Sequence, residues 1–512
     1  MTPRPPLFTR QLAVFAAATL LLHVTVNAVT QFGFQRDEFL YFAMGEHLRL
    51  WRMDFPPGIA MAANLVRFLL GDAMTAIRMV PAAAGTLSMV VAVLIARELG
   101  GGRFAQGLTA LTFFVSPLFL RAAGLFQPTV LDELAWTLAL YYLVRIGRSN
   151  EPRWWLLLGA SLGVGLLVKF SVLIFGFAVL LAILATSHRT ALKTRWPWLA
   201  AAIAFIIGSP SIVGQLALHF PIVGQIHELR TGQLEHVTYF SFFAGQLEWG
   251  PPTLVAIVGA WALVSSPRFA SQRLAGWACV FTELVLLIAR GKSYYAGPLM
   301  PALIAAGAVV LESVGQRGPS VVSASGAGLR WGTVALCAVF GVMVFPIALP
   351  VLSPARTAAY IGALHLDFTR RNNQGELEVL PQDFADMMGW EEQVRAMGRA
   401  YDALTDAQRR EVVIGASNYG RAGAIDYYGP RYGLPKAISS AGSYWFWGPG
   451  TKPGNVALII ENDDRHLKEL WQDVRLVEHI HSDWSVTDER DANIYLCQKP
   501  RRTLQAAWGR LD

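Results

Sequence analysis

Two pairs of adjacent carboxylates, Asp37-Glu38 and Asp132-Glu133, and three cations embedded in apolar or aromatic sequence, Lys169, Arg290 and Lys292, are the residues of this chain best suited to chemistry. A carboxylate kept partly out of water can serve as a general base. Lysine and arginine are natural partners for a phosphate. Asp37-Glu38 lie in Gln35-Arg36-Asp37-Glu38-Phe39, directly after the first apolar run. Residues 41–51 follow with Phe42, Leu48 and Trp51 apolar, a pattern that predicts a helix lying in a membrane interface. Such a helix could hold Asp37 between bilayer and water as a base, although an acidic pair also suits a plain solvated face. Asp54-Phe55-Pro56-Pro57-Gly58 then breaks the chain.

Asp132 and Glu133 come shortly after Pro128 at the start of another apolar run. Proline suits a helix start, and acids in the first turn complement the helix dipole. The two acids nevertheless sit about one turn in, deeper than a cap requires, and are expected to face the bundle interior. Lys169 stands in Leu167-Val168-Lys169-Phe170, and Arg290 and Lys292 in Arg290-Gly291-Lys292-Ser293-Tyr294-Tyr295. Lys169 can snorkel to headgroups or, with the other two, bind phosphate at the rim of a bundle. His219, His227 and His236 share a loop with Glu228, Glu235 and Glu248, but their spacings of eight and nine make no helical zinc face.

The elements that must hold these residues are membrane helices. Only 15% of the 512 residues are charged, against about 25% in a soluble domain. The deficit is concentrated in residues 11–353, whereas 354–512 has ordinary soluble composition. The net charge of +7 implies no nucleic-acid partner, since many cations fall in short loops between apolar blocks, as a positive-inside bias requires. Three cysteines, Cys279, Cys337 and Cys497, are too few for a disulfide framework. Arg4 and Arg10 precede an apolar run over 11–29, long enough to cross about 30 Å of hydrocarbon as an uncleaved first span.

Eleven crossings are predicted, near residues 11–32, 74–97, 104–120, 128–147, 154–167, 170–187, 196–218, 251–266, 274–290, 293–312 and 332–353. The loops holding Arg97 and Arg103; Arg145, Arg148 and Arg153; Arg189, Lys193 and Arg195; Arg268 and Arg273; and Arg317 and Arg330 are all assigned to the cytoplasm. That parity makes residues 57–70 a short helix on or dipping into the outer face. It also splits the apolar stretch 154–186 into two short helices turning outside near Lys169. The N-terminus is then cytoplasmic, and the C-terminal region joins the loops on the extracytoplasmic side of the plasma (inner) membrane.

The expected fold is therefore mainly α: a polytopic helix bundle over residues 1–353, followed by an extracytoplasmic α/β domain over 354–512. In that domain residues 411–416 and 455–461 read as buried strands and 463–473 as a helix. The glycines of Ser417-Asn418-Tyr419-Gly420-Arg421-Ala422-Gly423 make no dinucleotide fingerprint. The aromatic run Tyr444-Trp445-Phe446-Trp447 could stack on a sugar, lie against the membrane or fill a core.

Taken together, these motifs resemble the GT-C glycosyltransferases of the protein-mannosyltransferase and lipid A aminoarabinose-transferase type, over roughly residues 30–310. Asp37-Glu38, His47-Leu48 and Asp54-Phe55-Pro56-Pro57-Gly58 look like that family's first periplasmic loop. Residues 163–170 (GVGLLVKF) look like its lysine-bearing turn, and 291–302 (GKSYYAGPLMPA) like its aromatic-proline segment. The resemblance implies a polyprenyl-phosphate sugar donor and inverting transfer to an extracytoplasmic acceptor. Asp37 would be the base and Lys169 the lysine near the donor phosphate, with Arg290 and Lys292 assisting. His47, Tyr294, Tyr295 and Glu133 would line the substrates. Relatives open the fourth span with an acid straight after the proline; here Thr129 stands there, and Asp132 is the substitute. Glu38 joins Asp37 and Asp132 as a catalytic candidate. No cofactor is required, although a divalent metal could be held at Asp37, Glu38 and Asp132. The alternative is a transporter or flippase for a lipid-linked or sugar substrate, against which the chain shows no inverted repeat of broken helices.

Overall fold

The computed structural model describes residues 5–149, 151–314 and 320–509. Arg4 and Arg317, two of the charges that orient the predicted spans, lie outside them. The chain divides into two compact units. The first comprises Met1–Val29, Leu50–Gly58 and Thr75–Val351, and the second Thr30–Arg49, Ile59–Met74 and Leu352–Asp512.

In the first unit a helix stands at each predicted apolar segment. In chain order these are Thr9–Val29, Met79–Glu98, Arg103–Val115, Pro128–Ser149, Pro152–Val168, Val172–Ala185, Trp196–Ala217, Pro251–Ser265, Arg273–Ile288, Met300–Ser313 and Ser320–Ala348. Among the described residues six helices are long and apolar enough to cross a membrane, or nine if each of three bent pairs forms one span. The Arg103–Val115 helix continues into Pro117–Gly124 through a 61° bend at Ser116-Pro117, where proline removes a backbone donor. Apolar side chains such as Phe205, Ile206 and Leu216 point outward from the Trp196–Ala217 helix. Such an outward face is at home in hydrocarbon rather than water.

Helix association in lipid depends on close backbone approach at small residues. Gly307 and Gly259 supply it between the Met300–Ser313 and Pro251–Ser265 helices. A Cβ at Gly307 would lie 1.9 Å from the Val255 carbonyl oxygen, and one at Gly259 1.8 Å from that of Leu303. Gly307→Ala must therefore push the helices apart, an overpacking cost of roughly 1–3 kcal/mol. The expected result is a lowered thermal midpoint of the purified protein in detergent; an unchanged midpoint would contradict this packing.

Four of the five basic loops gather at one end of this bundle. The Glu98 carboxylate is paired with Arg145 at 3.1 Å and Arg148 at 3.6 Å, and Arg145 lies over the Trp154 ring at 3.9 Å. Glu312 accepts a hydrogen bond from the Phe104 amide at 3.0 Å, and Arg330 reaches the Glu312 carbonyl. A Cβ at Gly147 would meet the Ser271 carbonyl oxygen at 2.0 Å. The break at Lys169 lies at the other end, between the Pro152–Val168 and Val172–Ala185 helices. The long apolar stretch thus forms two short helices as its length required.

The second unit is built on a five-stranded sheet. Its strands are β1 (Val413–Ala416), β2 (Ala437–Ile438), β3 (Val456–Glu461), β4 (Trp471–His481) and β5 (Asp491–Pro500). Their order is β2-β1-β3-β5-β4, with β2, β1 and β3 parallel and β3, β5 and β4 antiparallel. Ile414 pairs with Leu458, and both are fully buried, as the apolar runs implied. The helix expected over 463–473 is shorter, Arg465–Leu470. From Trp471 the chain enters β4, an eleven-residue strand whose pairing with β5 overrides local helix preference.

The helix Arg36–Glu46 belongs to this unit and packs on Tyr419–Tyr428, where a Cβ at Gly423 would stand 2.7 Å from that of Phe39. Phe39 is buried among the rings of Trp390, Tyr427 and Tyr428. The interfacial helix expected over 41–51 thus begins five residues earlier and ends at Glu46. A capping box fixes its start: Gln35 accepts the Asp37 amide at 2.8 Å, and Glu38 accepts the Gln35 amide at 2.7 Å.

Candidate functional site

In the second unit the capping box decides how the first acidic pair is used. Glu38 points inward, is fully buried and satisfies the backbone of Gln35. Asp37, next in line on the first turn, remains partly exposed, with its carboxylate held by the C-terminal part of the chain. Tyr419 Oη donates to Asp37 Oδ1 at 2.9 Å. Arg36 Nε stands 3.9 Å from Asp37 Oδ1 and 3.8 Å from Asp386 Oδ1, and its guanidinium lies 5.9 Å from the centre of the Tyr419 ring. These ion-pair distances exceed a hydrogen bond, so Arg36 acts on both acids as a nearby charge. Asp386 is 2% exposed; burial pushes its carboxyl up to about 7, while Arg36 pulls the other way. Burial and the charge of Asp37 both raise the Tyr419 phenol, which therefore stays a protonated donor.

His47 ends the same helix. Its Nδ1 lies 3.0 Å from the Ala43 carbonyl and its ring stacks on Trp447 at 4.0 Å and 7°. The aromatic run 444–447 is thus partly used in packing, with Tyr444 buried and donating to Asp426 at 2.7 Å.

In the first unit the Pro128–Ser149 helix turns Asp132 and Glu133 into the bundle, where both are buried. Asp132 Oδ2 accepts from Ser171 Oγ at 2.6 Å and attracts Lys169 across the break between the two short helices. The Lys169 backbone is extended (φ −157°, ψ 140°), which ends the Pro152–Val168 helix. Its ammonium lies 5.6 Å from the centre of the Tyr295 ring, within cation–π range. Tyr295 packs edge-on against Tyr294 at 4.7 Å, and Lys292 lies 5.9 Å from the Tyr294 ring. Lys292 also donates to Gln233, a residue with no sequence signal of its own. Arg290, in left-handed backbone at φ 52°, lies over the Tyr239 ring at 5.6 Å.

The structure thus joins Lys169, Tyr295, Tyr294 and Lys292 in one chain of contacts, with Asp132 near enough to attract Lys169. Arg290 goes to a different partner. Among the described residues no group of three or more histidine, cysteine, aspartate and glutamate side chains is arranged to hold a metal ion. Sequence reasoning missed Tyr419, Asp386, Ser171, Gln233 and Tyr239 as partners of the candidates. Ser171 was within reach, two residues after Lys169. Tyr419 lies 382 positions from Asp37 and has no local signature.

Residues 54–213 match the family model described as dolichyl-phosphate-mannose-protein mannosyltransferase. No curated protein matches the chain by sequence. Among solved structures, ArnT from Cupriavidus metallidurans is similar over 95% of this chain and 98% of its own, at 16% identity. The TM-score is 0.62 for its apo form and 0.60 for its form bound to undecaprenyl phosphate. The oligosaccharyltransferase AglB from Archaeoglobus fulgidus, in complex with an inhibitory peptide and a dolichol-phosphate, matches 81% of this chain and 63% of its own. Its identity is 12% and its TM-score 0.48.

Proposed function

The chain has the GT-C fold that its motifs implied, and on that premise we propose that it is a membrane glycosyltransferase using a polyprenyl-phosphate sugar as donor. The match of residues 54–213 to the mannosyltransferase model carries the reading, because Asp132 and Lys169 both fall inside it. ArnT bound to undecaprenyl phosphate supports the same class of lipid carrier.

In this reaction the acceptor hydroxyl or amine attacks the anomeric carbon of the donor sugar. The bond from that carbon to the phosphate oxygen breaks, and polyprenyl phosphate leaves. Attack opposite the leaving group inverts the anomeric centre. Asp37 takes the acceptor's proton, a task for a carboxylate within hydrogen-bond reach. Phosphate leaves easily once its growing charge is neutralised, which is the role of Lys169 with Arg290 and Lys292. Asp132 attracts Lys169 and offsets its charge. The acceptor is an extracytoplasmic lipid, glycan or protein. The protein sits in the plasma (inner) membrane, with its N-terminus cytoplasmic and residues 354–512 outside.

The test is reconstitution of the purified protein with labelled polyprenyl-phosphate sugars and cell-envelope acceptor extract. Release of polyprenyl phosphate together with labelled acceptor is expected. Movement of the sugar across the vesicle without a covalent product would replace this reading with a transporter.

A further inference from the structure

We infer that Tyr419, in the C-terminal part of the chain, is a positioning residue for Asp37, so that the α/β fold supplies a working part of the proposed active site. The inference rests on the reading of Asp37 as the base. It is carried by the hydrogen bond from Tyr419 Oη to Asp37 Oδ1 at 2.9 Å, inside a single compact unit.

A base is useful only if its lone pair is aimed at the acceptor, and a short side chain on the first turn of a helix can rotate. The phenol fixes one carboxylate oxygen and leaves the other to face the acceptor. Arg36 cannot do this alone: it stands 3.9 Å from Asp37, and its charge is shared with Asp386. Among the described residues Asp37 therefore has one directional donor from a side chain outside its own helix, and Tyr419 provides it.

Tyr419 is itself rigidly placed. It opens the helix Tyr419–Tyr428 immediately beyond β1, with Asn418 as N-cap accepting from the Arg421 amide at 3.0 Å. Arg421 is buried and pairs with Glu489 at 2.7 Å, while donating to Ser417 at 2.8 Å and to Asn462 at 2.6 Å. Asn418 donates to the same Glu489 at 2.7 Å. This network locks the turn from which Tyr419 projects, as support for a reacting group requires. The backbone also comes close: a Cβ at Gly420 would lie 2.5 Å from Arg36 Cγ, so any larger residue there would push Arg36 aside.

The measurement is steady-state transfer by the full-length Tyr419→Phe protein, run beside wild type and Asp37→Asn, with thermal midpoints recorded for each. Phenylalanine keeps the ring and removes only the donor. A roughly tenfold fall in kcat is expected, as for loss of one hydrogen bond to a charged group, with donor KM and thermal midpoint unchanged. Wild-type kcat in Tyr419→Phe while Asp37→Asn is inactive would overturn the role of Tyr419 alone. Full activity in Asp37→Asn would remove the base reading itself, and with it this inference. A Tyr419→Phe protein whose midpoint collapses would show the hydroxyl to be structural and also overturn it.

Discussion

Asp37→Asn is expected to lower sugar transfer by about 10²–10⁴-fold, the range that general-base catalysis contributes, while the protein still inserts and folds. The substitution is nearly isosteric. The asparagine carbonyl can still accept from Tyr419, and the capping box is untouched, because it uses the Gln35 side chain and the Glu38 carboxylate. What disappears is the ability to take a proton. Removal of one negative charge beside Arg36 also leaves Asp386 as the acid paired with that guanidinium, so no cation is stranded. Folding and chemistry are therefore separable at this position. Turnover of a polyprenyl-phosphate sugar in proteoliposomes, with the thermal midpoint as control, is the measurement. Transfer at the wild-type rate would exclude Asp37 as the base.

Much of the bundle is legible in the sequence, because in lipid every backbone polar group must be satisfied within the chain and helices are the local solution. The apolar stretch around Lys169 is too long for one span and too interrupted for a straight helix, and it breaks at the charged residue. The small α/β domain was legible at β1 and β3, whose residues are apolar without alternation, as buried parallel strands should be. β4 was not. Its face is largely exposed and its residues mostly polar, so nothing local separates it from a surface helix. Only its partner β5 decides. The same limit applies to the candidate site. Asp37, Asp132 and Lys169 were found because charge is conspicuous in or beside apolar sequence. Tyr419 and Asp386 were not, since a tyrosine after a strand and an aspartate ending a short helical turn are ordinary where they stand. Glu38 looked like Asp37 in sequence; helix geometry alone sends one inward as a cap and leaves the other partly open.

Lys169→Met is expected to reduce transfer by about 10²–10³-fold, the usual consequence of removing one group that stabilises developing charge. A second variant separates the two roles of Lys169, because its charge also attracts Asp132. Methionine matches the length of the lysine stem but leaves the buried Asp132 carboxylate, which accepts from Ser171 at 2.6 Å, without that cation. Stranding such a charge typically costs about 3–5 kcal/mol, so the single variant is expected to unfold earlier as well as to lose activity. Lys169→Met combined with Asp132→Asn removes both charges, and asparagine can still accept from Ser171. That pair is expected to recover most of the thermal midpoint and none of the transfer. The two properties then part company: stability follows the balance of charge in the bundle, and transfer follows the ammonium. If the double variant regained transfer along with its stability, Lys169 would be a counter-ion to Asp132 and nothing more, and the donor phosphate would need another cation.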